Sequence, residues 1–373
     1  MIDIVEISSK KELRKFVDLS WSIYEKDENW VPPLRNEMLN TLLGKNNPLF
    51  MSGEHVFFMA YLDGKAVGRV CVGINESLND KKNVKEGYLT AFECINDKSV
   101  AFAIFDKAIE WLKKRGMVSI KGPISPTNGD DYKGLLVKGF DGSPVLMNSY
   151  NPEYYISFFE EYGFVKHLDL YAYYHDIHTA VNLERHGKVS EYAMKRYNFQ
   201  VDTIKLNEID KEIEDVKKIL DIAMPEDWEE LTPPTYEELK AEASNLVKMA
   251  DKDLVLIARS EGMPIGFAIA LPDYNQVLKK LNGRILPFGF LKYLKYKKKI
   301  NGFRIFILFV IPEFRKKAVS GAMLYKFYKN GIDKGYKYCE GSTIGETNIP
   351  MRLDIEKTGA VHYRTYRLYK KEI

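Results

Sequence analysis

The sequence predicts an α+β protein made of two tandem domains, each a mixed twisted sheet flanked by helices. The first observation is that the chain repeats itself in order: "VFFMAYLDGKAVGRVCVGI" resembles "LVLIARSEGMPIGFAIAL". Further along, "KKRGMVSIKGPIS" resembles "IDKGYKYCEGSTI", and "NPEYYISFFEEYGFVKHLDLYAYY" resembles "NIPMRLDIEKTGAVHYRTYRLYKK". Ordered self-similarity of this kind indicates a duplicated domain.

The second observation is that both copies predict the same elements. Each copy has an opening strand and helix, a hairpin, a third strand, a long helix, a strand, a short helix and closing strands. The hairpins are indicated by β-rich flanks around Asp63-Gly64 and Glu261-Gly262. The long helix is clearest in "SVAFAIFDKAIEWLKKR", where apolar residues recur at helical spacing. The predicted boundaries are 1–178 for the first domain, 179–197 for a linker helix and 198–373 for the second domain.

Composition bounds the class of protein. The 373 residues are 45% apolar and 29% charged, which is typical of soluble globular proteins with about two domains. A net charge of +3 is too small to favour nucleic acid as a partner. Three cysteines without C-x-x-C spacing suit a reducing compartment. No apolar run approaches the roughly 18 residues of a membrane span, and no signal peptide is evident, so a cytoplasmic protein is expected.

The stretch "VIPEFRKKAVSGAMLYK" is predicted to join the third strand of the second copy to its long helix. Amides at the start of a helix lack intrahelical partners and attract anions. Three cations, Arg315, Lys316 and Lys317, precede the helix, and small residues follow them. This junction therefore predicts a phosphate-binding turn, with an ordinary basic turn capped by Ser320 as the alternative.

The order of elements and this junction resemble the GNAT superfamily of acyl-CoA-dependent N-acyltransferases, duplicated in tandem. The motif of that superfamily, V-x-P-x-x-R-x-x-G-x-G/A, here reads Val310, Pro312 and Arg315, with Ala318 and Ser320 in the glycine places. The resemblance implies that acetyl-CoA or another acyl-CoA is bound by the second copy. The implied cofactor-binding residues are Phe309, Val310, Ile311, Arg315, Lys316, Lys317, Ala318, Val319, Ser320, Gly321 and Asn348.

One family position has changed. The family places an Asn eleven residues before a Gly and a Tyr four residues before that Gly. Here Asn348 and Gly359 match, but Ile355 stands at the Tyr position, and Phe159 stands there in the first copy. Because that Tyr protonates the departing thiolate in the family, its usual role has no obvious holder.

The first copy lacks the phosphate motif. At its junction, "TAFECINDKSVAFAIFDKA" has no Arg-x-x-Gly, and Asp97 would place negative charge where a phosphate should lie. We therefore expect the first copy to be a scaffold, or to bind something other than a CoA pyrophosphate.

Three residues are candidates for catalysis. Glu93 lies on the third strand of the first copy, from which some members of the superfamily draw a general base, and Glu346, like Glu340, lies near the fourth strand of the second copy. Tyr366, like Tyr369, could replace the missing acid. A salt-bridged or solvent-facing carboxylate and a core tyrosine are the plainer alternatives. No metal is expected, because His175 and His178 have no third ligand nearby in sequence.

The second copy carries a basic insert. Between Tyr274 and Ile300 there are eight cations and no acidic residue, and in "LPFGFLKYLKYKKK" they alternate with aromatic and aliphatic residues. This composition is typical of a segment that contacts an anionic membrane surface, and residues 284–300 are the predicted contact. The insert could also dock the CoA 3′-phosphate or an acidic partner, or be a solvated basic loop.

The resemblance to the GNAT superfamily implies an acyl-CoA-dependent N-acyltransferase that transfers an acetyl group to an amine on a small molecule or peptide. Two alternatives remain: a non-catalytic acyl-CoA-binding or scaffold protein, and a long-chain N-acyltransferase at a membrane surface. The acceptor amine, the acyl chain length and the oligomeric state do not follow from the sequence.

Overall fold

The computed structural model describes residues 1–44, 47–127, 129–179, 183–224, 234–246 and 249–373, with backbone alone at 241 and 245. This chain packs as two compact units. Unit 1 contains Met1–Leu170, Asn275–Lys298 and Arg364–Ile373, and unit 2 contains Tyr171–Tyr274 and Lys299–Tyr363. Both units combine a sheet with helices, so the predicted α+β class is confirmed.

Unit 1 holds the elements of the first copy and three later ones. In chain order they are β1 Ile2–Ile7, α1 Lys10–Ile23, α2 Arg35–Leu42, α3 Pro48–Met51, β2 His55–Leu62, β3 Lys65–Ile74, α4 Glu76–Lys82, β4 Glu86–Cys94, α5 Lys98–Lys113, β5 Ser119–Gly122, β6 Leu135–Lys138, α6 Tyr155–Glu161, β7 Val165–Asp176, which continues into unit 2, then α10 Asn275–Leu281, α11 Gly289–Lys297 and most of β13 Val361–Glu372.

The sheet of unit 1 begins with antiparallel strands in the order β1, β2, β3, β4, and β4 pairs in parallel with β5. The end of the chain completes this sheet, because Tyr369–Glu372 of β13 pair with β5 and Thr365–Arg367 pair with β6. The predicted hairpin between β2 and β3 is confirmed, with left-handed backbone at Asp63 and Gly64 in its turn. Such a turn matches the twist of the strands that it joins.

Helix α5 covers this sheet as its sequence predicts. Its apolar face, Val100, Ile104, Ala108 and Leu112, is fully buried among residues of β2, β3 and β4. The Asp97 carboxylate caps the helix by accepting from the Ser99 amide at 2.9 Å. This cap fixes where the helix begins after β4.

Unit 2 holds most of the second copy. Its remaining elements are α7 Leu183–Arg196, β8 Gln200–Thr203, α8 Ile209–Ala223, α9 Tyr236–Leu246, β9 Val255–Ser260, β10 Met263–Pro272, β11 Gly302–Val310, α12 Val319–Asp333, β12 Tyr338–Gly345 and α13 Ile349–Glu356. Its strands lie in the order β7, β12, β11, β10, β9, β8. The second predicted hairpin is confirmed between β9 and β10, with left-handed backbone at Glu261 and Gly262.

The compact units differ from the predicted domain ranges in three respects. The chain leaves unit 1 within β7, and the final residues 364–373 return to it. Residues 275–298, from the second copy's insert, also belong to unit 1. There the side-chain amide of Asn275 donates to the Pro144 carbonyl at 2.8 Å, and the Lys279 ammonium donates to the Ser143 hydroxyl at 2.8 Å. The compact units reflect packing contacts and do not test where the sequence duplication begins, so the ranges 1–178, 179–197 and 198–373 remain predictions. Most of the predicted linker helix is α7, and residues 180–182 of that range lie outside the described residues.

Two expectations from the sequence concern metals and membranes. His175 packs edge-on against Tyr328, and a ring nitrogen of His178 lies 2.9 Å from the Tyr336 carbonyl oxygen. Among the described residues, no group of three His, Cys, Asp or Glu side chains could hold a metal ion. Among the same residues, no helix is both long enough and apolar enough to cross a bilayer.

Candidate functional site

In unit 2 the adjacent strands β11 and β12 separate towards their carboxyl ends. Their parallel pairing ends at Ile305 and Gly341, whereas β11 continues to Val310 and β12 to Gly345. On its other side β11 stays paired with β10, with one extra residue, Phe306, at a bulge. A bulge bends and twists its strand, which helps β11 to leave β12. We call the resulting opening the strand gap.

Backbone direction along β11 decides which groups face the strand gap. The Ile311 amide donates to the carbonyl of Ile265 in β10 at 2.9 Å. Ile265 comes just before Gly266, the first residue of β10 that pairs with β11. Successive residues of a strand direct their backbone groups to opposite sides, so the Val310 amide and carbonyl face away from β10. The Ile311 carbonyl accepts from the Phe314 amide at 3.0 Å. Of Val310 and Ile311, Val310 therefore directs its amide to the gap while its carbonyl accepts from Arg315 at 3.2 Å, and Ile311 is bonded within the fold.

The strand that borders the gap is apolar. Residues Phe306 to Val310 form an unbroken hydrophobic run, and all five are half-buried. The Phe309 ring stacks on Phe267 with 5.7 Å between ring centroids. An apolar ligand segment that covers these side chains removes them from water, which favours binding.

The first turn of α12 presents amides without a side-chain cap. The helix begins at Val319, and its N-cap residue Ala318 makes no side-chain hydrogen bond. The Ser320 hydroxyl donates to the Asp354 carboxylate at 2.7 Å, so the expected capping of the helix by Ser320 is wrong. Gly321 has open space where a side chain would start. The turn therefore has the donors and the dipole end that attract an anion.

The three predicted cations of this turn differ in their contacts. Arg315 donates to the Val310 carbonyl at 3.2 Å and to the Ala223 carbonyl at 2.8 Å, so it ties the turn to the end of α8. Lys316 is exposed, and Lys317 lies 4.2 Å from the centre of the Phe314 ring. Arg315 thus has a structural role that the sequence did not indicate, and the two lysines are the freer cations beside the turn.

Ala318 stands in the left-handed region, with φ of 59°. A methyl group in this conformation costs about 1–2 kcal/mol, which glycine avoids. We expect Ala318→Gly to raise the free energy of unfolding by about 1 kcal/mol, measured by denaturant titration. The control is Lys329→Gly, an exposed position inside the same helix, which is expected to lower stability by up to about 1 kcal/mol. If both variants changed the free energy of unfolding in the same direction, the proposed strain at Ala318 would be contradicted.

Asn348 and Ile355 lie on the short helix that follows β12. Asn348 is exposed and caps α13 by accepting from the Met351 amide at 3.3 Å. Ile355 is 1% exposed, and its Cδ1 lies only 2.2 Å from where a Cβ on Gly341 would stand. The place that a tyrosine holds in the family is therefore a tight apolar contact here, and Ile355 has no proton to donate.

The two acidic candidates of the second copy differ in burial. Glu346 follows the end of β12 and is half-buried, and its backbone carbonyl accepts from Arg352 at 2.9 Å. Glu340 is fully buried and accepts from the hydroxyls of Ser342 and Tyr363, and buried Arg304 donates to the same serine at 2.9 Å. Glu346 therefore remains the more accessible candidate base, and Glu340 belongs to a core network.

In unit 1, Glu93 lies in a closed polar cluster. Its carboxylate accepts from the hydroxyls of Tyr24 and Tyr155 at 2.8 Å each, and a guanidinium nitrogen of Arg69 lies 3.6 Å away. Burial raises the pKa of Glu93, and the Arg69 charge opposes that rise. A raised carboxylate pKa suits a general base, but these contacts also account for Glu93 as a structural group.

Unit 1 contains the counterpart of the strand gap, and its own side chains fill it. Pairing of β4 with β5 ends at Tyr88 while β4 continues to Cys94. The Cys94 amide donates to the Tyr155 hydroxyl at 2.6 Å, and the Tyr154 hydroxyl donates to the Cys94 carbonyl at 2.9 Å. With Asp97 already capping α5, the strand end and the helix N-terminus of the first copy are both bonded to side chains of that copy, whereas α12 of the second copy has no side-chain cap. Neither tyrosine was predicted from the sequence to contact the end of β4, although both stand in "NPEYY" at the start of α6.

Two other positions from the sequence analysis are also in the core of unit 1. Tyr366 is fully buried on the part of β13 that pairs with Leu136. Phe159 is fully buried in an aromatic cluster with Phe92 and Phe105. The structure therefore assigns Tyr366 to unit 1, whereas the motif residues Phe309–Gly321 belong to unit 2.

Comparison with known proteins gives relatives of similar length and structures of similar fold. No family model matches the chain. Bacterial ceramide synthase from Caulobacter vibrioides (strain NA1000 / CB15N) is 28% identical over 386 aligned residues, covering 100% of this chain and 98% of the relative. A tandem GNAT protein from the clavulanic acid biosynthesis pathway superposes with a TM-score of 0.59 at 11% identity, covering 100% of this chain and 98% of that one.

The second structure is the GCN5-related glucosamine N-acetyltransferase region of a fungal multi-domain GH3 β-N-acetylglucosaminidase. Its TM-score is also 0.59, at 15% identity, and the match covers 100% of this chain. This chain spans 38% of that longer protein. At these identities the two structures establish the fold.

Proposed function

We propose that this chain, which has the tandem GNAT fold, is an N-acyltransferase that takes its acyl group from an acyl-CoA bound by the second copy. The observation that carries this proposal is a contrast between the copies. In unit 2 the strand gap ends beside an uncapped helix with two exposed or half-buried lysines, whereas in unit 1 tyrosines and Asp97 fill the same places. The backbone groups of an unpaired strand edge can hydrogen-bond to the amides of a pantetheine arm, and the amides at a helix N-terminus can bind a pyrophosphate.

The proposed chemistry transfers an acyl group from sulfur to nitrogen. The amine nitrogen forms a bond to the thioester carbon, the carbon–sulfur bond breaks, and the amine loses one proton. The Val310 amide faces the strand gap and would donate to the thioester oxygen as negative charge develops there. Glu346 is our candidate for the proton acceptor, because it is accessible and follows β12. Since Ile355 cannot donate, the thiolate takes its proton from water.

The proposed acyl group is a long chain, and the proposed acceptor is a long-chain amino alcohol. The similarity to bacterial ceramide synthase supports this choice over acetyl transfer, since a ceramide is the amide of a fatty acid with such an amine. The apolar run Phe306 to Val310 is compatible with an apolar ligand at the strand gap. The loss of the family tyrosine at Ile355 favours the alternative, an acyl-CoA-binding protein without turnover.

The test is release of free CoA thiol and formation of the amide, followed by mass spectrometry. Acetyl-CoA and palmitoyl-CoA are each offered with sphinganine and with a panel of water-soluble amines, and binding of each CoA ester is titrated separately. We expect turnover with palmitoyl-CoA and sphinganine. Binding without turnover on any amine would support the alternative function. Failure to bind either ester would overturn both.

A further inference from the structure

Residues 284–298 of unit 1, which we call the basic segment, expose a group of large apolar side chains. Leu286, Phe288 and Leu291 are 77%, 75% and 66% exposed, and Phe290 and Leu294 are exposed as well. Single exposed apolar side chains are ordinary on protein surfaces, but five in one short segment form a patch that some partner covers.

The charge of the basic segment has one sign. Its five cations are Arg284, Lys292, Lys295, Lys297 and Lys298, and it contains no acidic residue. Cations around an apolar patch suit the surface of an anionic bilayer, where negative headgroups attract the cations and the acyl chains beneath accept the apolar side chains.

Helix geometry places the exposed apolar side chains of α11 on one side and two of its lysines at the edges of that side. At about 100° per residue, Phe290, Leu294 and Leu291 lie within one arc of about 100°. Lys297 and Lys295 lie at its two borders. The half-buried Tyr293 falls on another side of the helix. An exposed apolar arc bordered by lysines is the arrangement of a helix lying in a membrane interface.

The preceding turn anchors the basic segment to unit 1. The Arg35 amide donates to the Gly283 carbonyl at 3.1 Å, and the Trp21 indole donates to the Asn282 side chain at 2.9 Å. A Cβ on Gly283 would lie 2.3 Å from the Trp21 ring, so the turn fits closely. A segment held in this way presents its apolar side chains in a fixed position, unlike a loose solvated loop.

We propose that the basic segment docks the protein on an anionic lipid bilayer. Phe288, Phe290 and Leu291 enter the boundary between headgroups and acyl chains, and the lysines contact the lipid phosphates. The inference stands on the segment alone and does not depend on the proposed function. Membrane docking would bring the chain to the surface where long-chain amines reside.

The first experiment measures sedimentation of the full chain with vesicles of phosphatidylcholine alone or with 30% phosphatidylglycerol. We expect binding to the anionic vesicles that weakens as salt is raised. The triple variant Lys295→Glu, Lys297→Glu, Lys298→Glu is expected to lower the partition coefficient at least about tenfold. The variant Phe288→Ser, Leu291→Ser is expected to lower it at every salt concentration.

The matched control carries the same change of charge elsewhere on unit 1. Lys10, Lys11 and Lys15 are exposed on α1, and their replacement by Glu is expected to leave most vesicle binding intact. Unchanged thermal unfolding shows that each variant is folded. No binding of the wild type at low salt would overturn the proposal. So would equal losses in the two charge variants, and displacement from vesicles by free CoA would assign the segment to a soluble phosphate instead.

A second experiment reports insertion directly. The cysteines Cys71, Cys94 and Cys339 are all buried, so Leu291→Cys can be labelled selectively with a polarity-sensitive dye. We expect a blue shift of its emission on anionic vesicles and quenching by brominated lipids. The control Val165→Cys places the dye at another exposed site of unit 1, where no shift is expected. Identical responses at both sites would contradict docking through the basic segment.

Discussion

Replacing Gly321 with Glu is expected to make the protein more stable and to weaken strongly the proposed binding of acyl-CoA. Gly321 is the third residue of α12, and a side chain there meets no atom within 4 Å. A carboxylate in the first turn interacts favourably with the helix dipole, and losing a helical glycine stabilises further. The same carboxylate repels a pyrophosphate at this turn, which lowers affinity on the order of 100-fold. Calorimetric titration with CoA and thermal unfolding measure the two effects.

The matched control is Gly321→Gln, which has the same size without the charge. We expect it to bind CoA with a modest loss, so that the difference between the variants isolates electrostatic repulsion. If Glu and Gln bind CoA equally, the pyrophosphate does not lie at the first turn of α12. Arg315→Glu is a poorer test, because Arg315 also holds the turn through the Val310 and Ala223 carbonyls.

Replacing Arg69 with Met is expected to lower the free energy of unfolding by about 3–5 kcal/mol, because it leaves a buried carboxylate without its cation. Arg69 is 5% exposed and also donates to the carbonyls of Phe16 and Val17. The variant is compared with Lys98→Met, which removes an exposed ion pair with Glu161 and should cost at most about 1 kcal/mol. Denaturant titration measures both.

The cost of Arg69→Met should depend on pH. Burial raises the pKa of Glu93 in the folded protein above its unfolded value, and without Arg69 it rises further. The gap between the two proteins is therefore fully present above the Glu93 pKa of the folded variant and narrows as the pH falls through it towards the lower Glu93 pKa of the folded wild type. We expect the stability gap to narrow as the pH is lowered from neutral, and Arg69→Met with Glu93→Gln to recover part of the loss. A gap independent of pH would mean that Glu93 is not the group left uncompensated.

The local features of the fold were predictable from the sequence because they depend on neighbouring residues. Asp63-Gly64 and Glu261-Gly262 indicate tight hairpins, and the α5 periodicity indicates its buried face; the structure confirms both. The order of elements also indicated the tandem GNAT fold, and the solved structures confirm that fold. The motif residues Phe309 to Gly321 lie at one turn of unit 2, and their contact with an acyl-CoA remains a prediction.

Contacts between distant residues could not be predicted in this way. Nothing near Arg315 indicates that its partner is the Ala223 carbonyl, and nothing near Cys94 indicates that Tyr154 and Tyr155 satisfy its backbone. The candidates Glu93 and Tyr366 were chosen by residue type and strand position. The structure shows that both are closely packed in unit 1, which residue type alone does not reveal.

The return of residues 364–373 to unit 1 fixes the order in which the protein can mature on the ribosome. Tyr369–Glu372 pair with β5, yet they are synthesised after all of unit 2. The earlier strands of unit 1 therefore wait, with an unpaired β5 edge, while the rest of the chain emerges. Long-range pairing of this kind slows folding and exposes intermediates to aggregation. Translation of the second copy thus precedes completion of the first, and chaperone demand should be greatest during that interval.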